Sequence, residues 1–128
     1  MQVDTYIKLT DELLAKAKKI SLLKGEEYTV SDNDKFKNFK SVAERTHTSA
    51  EIVCTVYLLK HMDSIRNYVL HGKESCDETI SGRIIDAVNY LCLLHGILIE
   101  KKEYEALDKK IHDNELGVGF AQKDIKNA

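Results

Sequence analysis

The sequence predicts an all-α protein, a bundle of four to five helices that is completed by oligomerisation. Proline is absent and there are only 6 glycines in 128 residues, whereas folds with many tight turns need both. Hydrophobic residues make up 43% and charged residues 31%, as in an ordinary folded protein. Apolar residues recur at helical spacing along most of the chain. The length is typical of one domain, and we predict a single helical domain over residues 1–128.

Thr10 is the predicted N-cap of a first helix over about residues 11–24, and Gly25 is expected to end it. A polar loop follows. A short second helix is predicted over residues 35–45, because Phe36, Phe39 and Val42 give it one apolar face. Three residues of the loop are alternative caps for this helix: Asp32, Asn33 and Asp34.

Two longer helices form the predicted core, over about residues 49–70 and 76–102. Thr48 and Ser75 are each followed three residues later by a glutamate, which is the pattern of a capping box. The last segment, residues 115–128, is predicted to be a flexible or docking tail.

The third helix is apolar on two nearly opposite sides. One side carries Cys54, Leu58, Met62, Ile65 and Val69, and the other carries Ile52, Val56, Leu59 and Leu70. A helix that is apolar on two sides is enclosed on two sides, and a chain of this size has few elements to do so. We therefore predict a homodimer or a higher homo-oligomer.

Polar side chains interrupt these apolar helices. Asp63 falls in the middle of the second apolar side. A helix rises about 1.5 Å per residue, so an antiparallel hairpin places Lys60 level with Asp86 and Asp63 level with Arg83. Because burying an unpaired charge costs several kcal/mol, these residues are predicted to form two reciprocal ion pairs.

Two interpretations of these residues stay open. The ion pairs could only fix the register of the hairpin, or the residues could line a pocket for an anionic or nucleotide-like ligand. Tyr90 or Tyr57 would then stack on the ligand. The predicted ligand-binding residues are Lys60, Asp63, Asn67, Arg83, Asp86, Asn89 and Tyr90.

Several classes of protein are not expected. The net charge of −2 gives no basic surface for a nucleic-acid backbone. Three cysteines without CxxC spacing predict neither disulfides nor a zinc site and fit a reducing cytoplasm. The N-terminal segment lacks signal-peptide features, and polar residues interrupt each apolar stretch before about 18 residues. We therefore predict a cytoplasmic protein that does not bind a membrane.

Four segments resemble small phage and prophage proteins of the nucleotide-modification-associated, all-α type. They are YLLKHMDSIRNYV, GRIIDAVNYLCLL, KGEEY and DKFKNFKSVAE, and the resemblance covers about residues 21–100. The hairpin is also similar to the core of the MazG-like nucleotide pyrophosphohydrolases. That similarity implies a MazG-like bundle and a nucleotide ligand. Those enzymes hold magnesium with an E-x-x-E on one helix and an E-x-x-D on the next.

This chain departs from the enzyme pattern at half of those positions. It has Lys60-x-x-Asp63 and Arg83-x-x-Asp86, so two of the four carboxylates become cations. Magnesium needs anionic oxygen ligands, whereas lysine and arginine can contact phosphate directly. The resemblance therefore implies a nucleotide-binding protein with no metal cofactor and no efficient hydrolysis. Its use would be sequestration of a host defence signal or a step in phage nucleotide modification.

Two alternatives remain open. The first is a divergent magnesium-dependent nucleotide pyrophosphohydrolase that uses Asp63, Asp86 and Glu78. The second is a protein–protein inhibitor of a host defence system that acts through its surface and its C-terminal tail.

Overall fold

The computed structural model describes residues 1–28, 33–74 and 77–126, and it describes side chains for residues 1–25, 33–74 and 77–116. It contains four helices: α1 (Val3–Tyr28), α2 (Lys37–Arg45), α3 (Ala50–His71) and α4 (Ile80–Lys126). The described residues form no β-strand. The prediction of an all-α fold is therefore confirmed, whereas the MazG-like architecture and the oligomer stay predictions.

Helix α1 begins earlier and ends later than predicted. Thr10 is not its N-cap, because the Thr10 hydroxyl lies inside the helix and donates to the carbonyl oxygen of Tyr6 at 3.0 Å. Gly25 does not end it either, since the helix continues to Tyr28. One glycine inside a helix costs only about 1 kcal/mol relative to alanine, which tertiary contacts can offset.

The N-cap position of α2 is Phe36, which makes no side-chain capping hydrogen bond, so neither Asn33 nor Asp34 is the cap; Asp32 lies outside the described residues. Asp34 precedes α2, and its carboxylate accepts a hydrogen bond from the backbone N–H of Phe36 at 2.9 Å. Ser49, and not Thr48, caps α3: its hydroxyl oxygen accepts from a backbone N–H three residues later at 3.3 Å. Helix α3 ends before Gly72, whose φ of 67° is the left-handed conformation that glycine adopts readily.

Helix α4 is much longer than predicted. It begins at Ile80 and continues to Lys126, so the backbone of residues 115–126 is helical. The predicted Ser75 cap and the side chains of the predicted tail lie outside the described residues.

One part of α4, Ile80–Leu116, is long and apolar enough to cross a membrane by length and composition. Its mean hydropathy is 1.4, and 17% of the apolar window is buried. Core helices of soluble proteins can have the same length and hydropathy. The prediction of a cytoplasmic protein that does not bind a membrane therefore stays a prediction.

The chain divides into two compact units, residues 1–95 and residues 96–128. In the first unit, the buried residues are mostly small: Ala17, Ala43, Val53, Cys54, Ile85 and Ala87. In the second unit, Ile97 is buried, and several large apolar residues are exposed: Tyr104, Leu107, Ile111 and Leu116.

Candidate functional site

Helices α3 and α4 run antiparallel at close to the predicted levels. The ring of Tyr57 stacks on that of Tyr90 with centroids 6.0 Å apart, and His61 Nδ1 lies 3.9 Å from Asp86 Oδ2. The distance from Tyr57 to His61 along α3 therefore corresponds to the distance from Tyr90 to Asp86 along α4. The level predicted for Lys60, opposite Asp86, is correct to within one residue.

The side of α3 that faces α4 differs from the prediction. His61 faces Asp86, and the neighbouring Lys60 points about 100° away around the helix. Lys60, Asp63 and Asn67 are all exposed, and none of their side chains forms a hydrogen bond or ion pair with a described residue. The predicted Lys60–Asp86 pair is therefore wrong. Both sides of α3 are apolar, so the sequence pattern alone does not indicate which side faces α4.

Arg83 is also paired differently from the prediction. Its Nε lies 2.9 Å from Oε2 of Glu78, which precedes α4 by two residues. The predicted Asp63–Arg83 pair is absent from the described structure because Asp63 points outward. An ion pair across five residues also requires less ordering of the chain than one between two helices.

Three helices contribute to a cluster of aromatic rings. Phe39 of α2 meets Tyr57 of α3 and Tyr90 of α4 edge to face, with centroids 6.2 Å and 6.4 Å apart. His61 stacks on Tyr90 at 5.1 Å with an interplanar angle of 26°. These arrangements are the favourable ones for aromatic pairs and hold the ring positions relative to one another.

A cavity of about 330 Å³ opens beside this cluster, entirely within the first unit. Its volume lies at the lower end of the range of small-molecule sites. All four helices and the segment before α2 contribute to its walls. The lining residues are Ser21, Lys24, Gly25, Lys35, Asn38, Phe39, Val42, Tyr57, Asp86, Asn89, Tyr90 and Leu93. We refer to it as the aromatic cavity.

Two lysines supply positive charge to the aromatic cavity. Lys24 Nζ lies 3.5 Å from Asp86 Oδ1, and the Lys24 side chain is 60% exposed. Lys35 Nζ donates to the carbonyl oxygen of Ser21 at 3.2 Å. Gly25 leaves room for that contact, because a Cβ at this position would lie 2.8 Å from Lys35 Nζ. Both lysines therefore line the cavity, Lys24 in contact with α4 and Lys35 in contact with α1.

Asp86 is the carboxylate that lines the aromatic cavity, and its side chain is only 15% exposed. Burial lowers the pKa of His61, although the Asp86 charge acts in the opposite direction. His61 is therefore neutral at pH 7 and gives Asp86 no full ion pair. The long contact with Lys24 leaves the Asp86 carboxylate able to accept shorter hydrogen bonds from a ligand.

The structure brings together three of the predicted site residues, Asp86, Asn89 and Tyr90, and places them in the cavity wall. Tyr57, considered for stacking, joins them. The other four predicted residues do not line the cavity: Lys60, Asp63, Asn67 and Arg83.

Sequence reasoning missed the contribution of α1 and α2. Four residues line the cavity but lie outside the hairpin formed by the third and fourth helices: Lys24, Lys35, Asn38 and Phe39. Phe39 lies on the predicted apolar face of the second helix, and this face is the signal that could have indicated its contribution.

Among the described residues, no group of three or more histidine, cysteine, aspartate or glutamate side chains converges on a possible metal position. Asp63 and Asp86, the two acids that remain from the enzyme pattern, lie on different sides of α3. No protein-family model matches the chain, and neither a curated protein nor a solved structure is significantly similar to it.

Proposed function

We propose that this protein binds a nucleotide or a nucleotide-derived small molecule in the aromatic cavity and does not hydrolyse it efficiently. The observation that carries the proposal is the composition of the cavity wall. Aromatic rings from three helices, two lysines and one shielded carboxylate surround a single space of about 330 Å³. A nucleotide offers a matching partner for each of these groups.

The aromatic rings suit the base. Stacking of a base on an aromatic side chain is worth about 1–3 kcal/mol, and it is available to every base. Tyr57 is 40% exposed, so part of its ring surface is open to the cavity. Phe39 and Tyr90 hold the Tyr57 ring in place, which reduces the entropy lost on binding.

The charged groups suit the rest of a nucleotide. Lys24 and Lys35 can donate charge-assisted hydrogen bonds to phosphate oxygens. Asp86 accepts hydrogen bonds, and so it suits vicinal ribose hydroxyls or the N–H groups of a base edge. Asn38 and Asn89 can both donate and accept, which provides further contacts to the base.

Binding without efficient hydrolysis follows from the charge of the lining residues. Magnesium-dependent cleavage of phosphate esters relies on several carboxylates that hold the metal against the phosphates. The described wall contains the single carboxylate of Asp86, and Lys24 lies beside it. The resemblance to phage proteins makes a nucleotide-derived defence signal in the host cytoplasm the ligand class to test first.

Two measurements test the proposal. Purified full-length protein is denatured, and released small molecules are identified by ultraviolet absorbance and mass spectrometry. In parallel, adenosine and guanosine mono- and triphosphates are titrated into the protein by calorimetry, with and without magnesium. We expect binding that does not require magnesium, and no release of pyrophosphate over the course of the titration.

The variants Lys24→Gln and Lys60→Gln separate the aromatic cavity from the originally predicted site. Lys24 lines the cavity, whereas Lys60 lies on the exposed side of α3. Loss of affinity in Lys24→Gln alone supports the cavity. Loss in Lys60→Gln alone, or magnesium-dependent turnover, contradicts the proposal and favours the enzyme. Absence of binding to every nucleotide, with no ligand released, leaves the inhibitor of a host protein as the better account.

A further inference from the structure

The exposed side of α3 carries a row of large apolar side chains that is interrupted by one acidic and one basic residue. Its residues are Ile52, Val56, Leu59, Asp63, Arg66 and Leu70, which we call the outer face of α3. Successive members are separated alternately by four and three residues. This spacing is the heptad pattern by which one helix packs along another.

The apolar members of the outer face are open to solvent. Exposure of Ile52, Val56, Leu59 and Leu70 ranges from 53% to 59%. An aligned row of large apolar side chains is unusual on the surface of a protein that has no partner. The two charged members, Asp63 and Arg66, are exposed, and their side chains form no hydrogen bond or ion pair with a described residue.

We propose that a second copy of this chain covers the C-terminal half of the outer face, from Leu59 to Leu70, with the two α3 helices packed antiparallel about a two-fold axis. In this arrangement Asp63 meets Arg66 of the partner subunit. The symmetry repeats the contact, so that Arg66 meets the partner subunit's Asp63. Leu59 then packs against Leu70 of the partner subunit on both sides of the charge pairs.

The positions of the charges select this orientation and this register. A parallel pairing places Asp63 beside the partner's Asp63 and Arg66 beside the partner's Arg66, which is repulsive. Shifting the antiparallel pairing by one heptad sets Leu59 against the partner's Asp63. That shift separates opposite charges by about seven residues, or about 10 Å. Only the proposed register pairs both charges and keeps leucine against leucine.

The extent of the contact is consistent with a reversible dimer. In the proposed register the two helices overlap over residues 58–71, about 14 residues or about 21 Å of helix. Such a contact is smaller than a standard stable interface, so we expect dissociation in the micromolar range. The outer face and the aromatic cavity lie on opposite sides of α3, and the proposed dimer does not rest on the proposed function.

Charge reversal gives a sharp test because the two positions are reciprocal. In Asp63→Arg, both subunits present two cations, and in Arg66→Asp, both present two anions. We expect each variant alone to dissociate at least about tenfold more readily than the wild type. Mixing the two variants restores both complementary contacts, and so does the double variant Asp63→Arg with Arg66→Asp. Analytical ultracentrifugation of the full chain over a concentration series measures each dissociation constant.

Lys8→Glu is the control, because it reverses an exposed charge on α1, a helix that contributes no residue to the outer face. Its dimer should match that of the wild type, and circular dichroism should show equal helix content in all variants. A wild type that is monomeric at high micromolar concentration overturns the proposal. So does a dimer that is unaffected by either single reversal, or a mixture of the two variants that fails to associate.

Discussion

Tyr57→Leu tests whether a base stacks in the aromatic cavity. Leucine preserves the apolar character of the position but removes the flat ring that lies 6.0 Å from Tyr90 and 6.2 Å from Phe39. Base stacking on an aromatic side chain is worth about 1–3 kcal/mol, and about 1.4 kcal/mol corresponds to a tenfold change in affinity. Because leucine keeps part of the apolar contact, we expect the lower half of that range, a loss of about 5- to 30-fold.

Calorimetry with the tightest-binding nucleoside triphosphate measures the loss, and inorganic tripolyphosphate serves as a second probe without a base. Tyr57→Leu should weaken nucleotide binding while leaving tripolyphosphate binding unchanged. Tyr6→Leu is the matched control, since Tyr6 is 63% exposed on α1 and does not line the cavity. Equal affinity of Tyr57→Leu and wild type for the nucleotide, in a variant of wild-type helix content, refutes stacking on this ring.

Three further changes have defined outcomes. Lys24→Gln should weaken triphosphate binding about tenfold at low salt and less at high salt in calorimetry, whereas Lys60→Gln should have no effect, because only Lys24 borders the cavity. The free energy of unfolding should fall as pH drops below about 6.5, because burial lowers the pKa of His61 and the unfolded chain then binds more protons than the folded one. Urea titrations at several pH values measure this, and His61→Phe should show a weaker pH dependence of stability. Gly25→Ala should leave the thermal midpoint equal or raised, because alanine favours the helix, but should weaken tripolyphosphate binding, because the new Cβ displaces the Lys35 ammonium.

The sequence was sufficient to predict the two middle helices to within a few residues. Helix α2 has one apolar side and a polar loop before it, and α3 lies between Ser49 and Gly72, which are strong boundary residues. The ends of α1 and α4 were not predictable in the same way. Gly25 suggested a stop that the helix passes through, and α4 continues beyond the last segment with clear apolar spacing.

The sequence predicted which positions of α3 and α4 lie level with each other in the hairpin, but not which side of α3 faces α4. The rise per residue alone placed position 60 opposite Asp86, and the structure places His61 there. Rotation is decided by side-chain packing, and an apolar pattern on both sides of α3 does not choose between them. The choice depends on rings from other helices, Phe39 and Tyr90, which accept Tyr57 and His61 as stacking and edge-to-face partners.

The rotation of α3 about its own axis determines which residues lie on its inner side and which lie on its outer face. Turning Tyr57 and His61 toward α4 requires Asp63 and Arg66 to point outward, since the two pairs lie on opposite sides of the helix. The aromatic cluster is held within one chain, so it does not need the proposed dimer in order to form. We therefore expect Asp63→Arg to bind nucleotide with wild-type affinity at concentrations where the variant is monomeric and the wild type is dimeric. A loss of affinity that returns when Arg66→Asp is added to the mixture would show that the second copy completes the cavity.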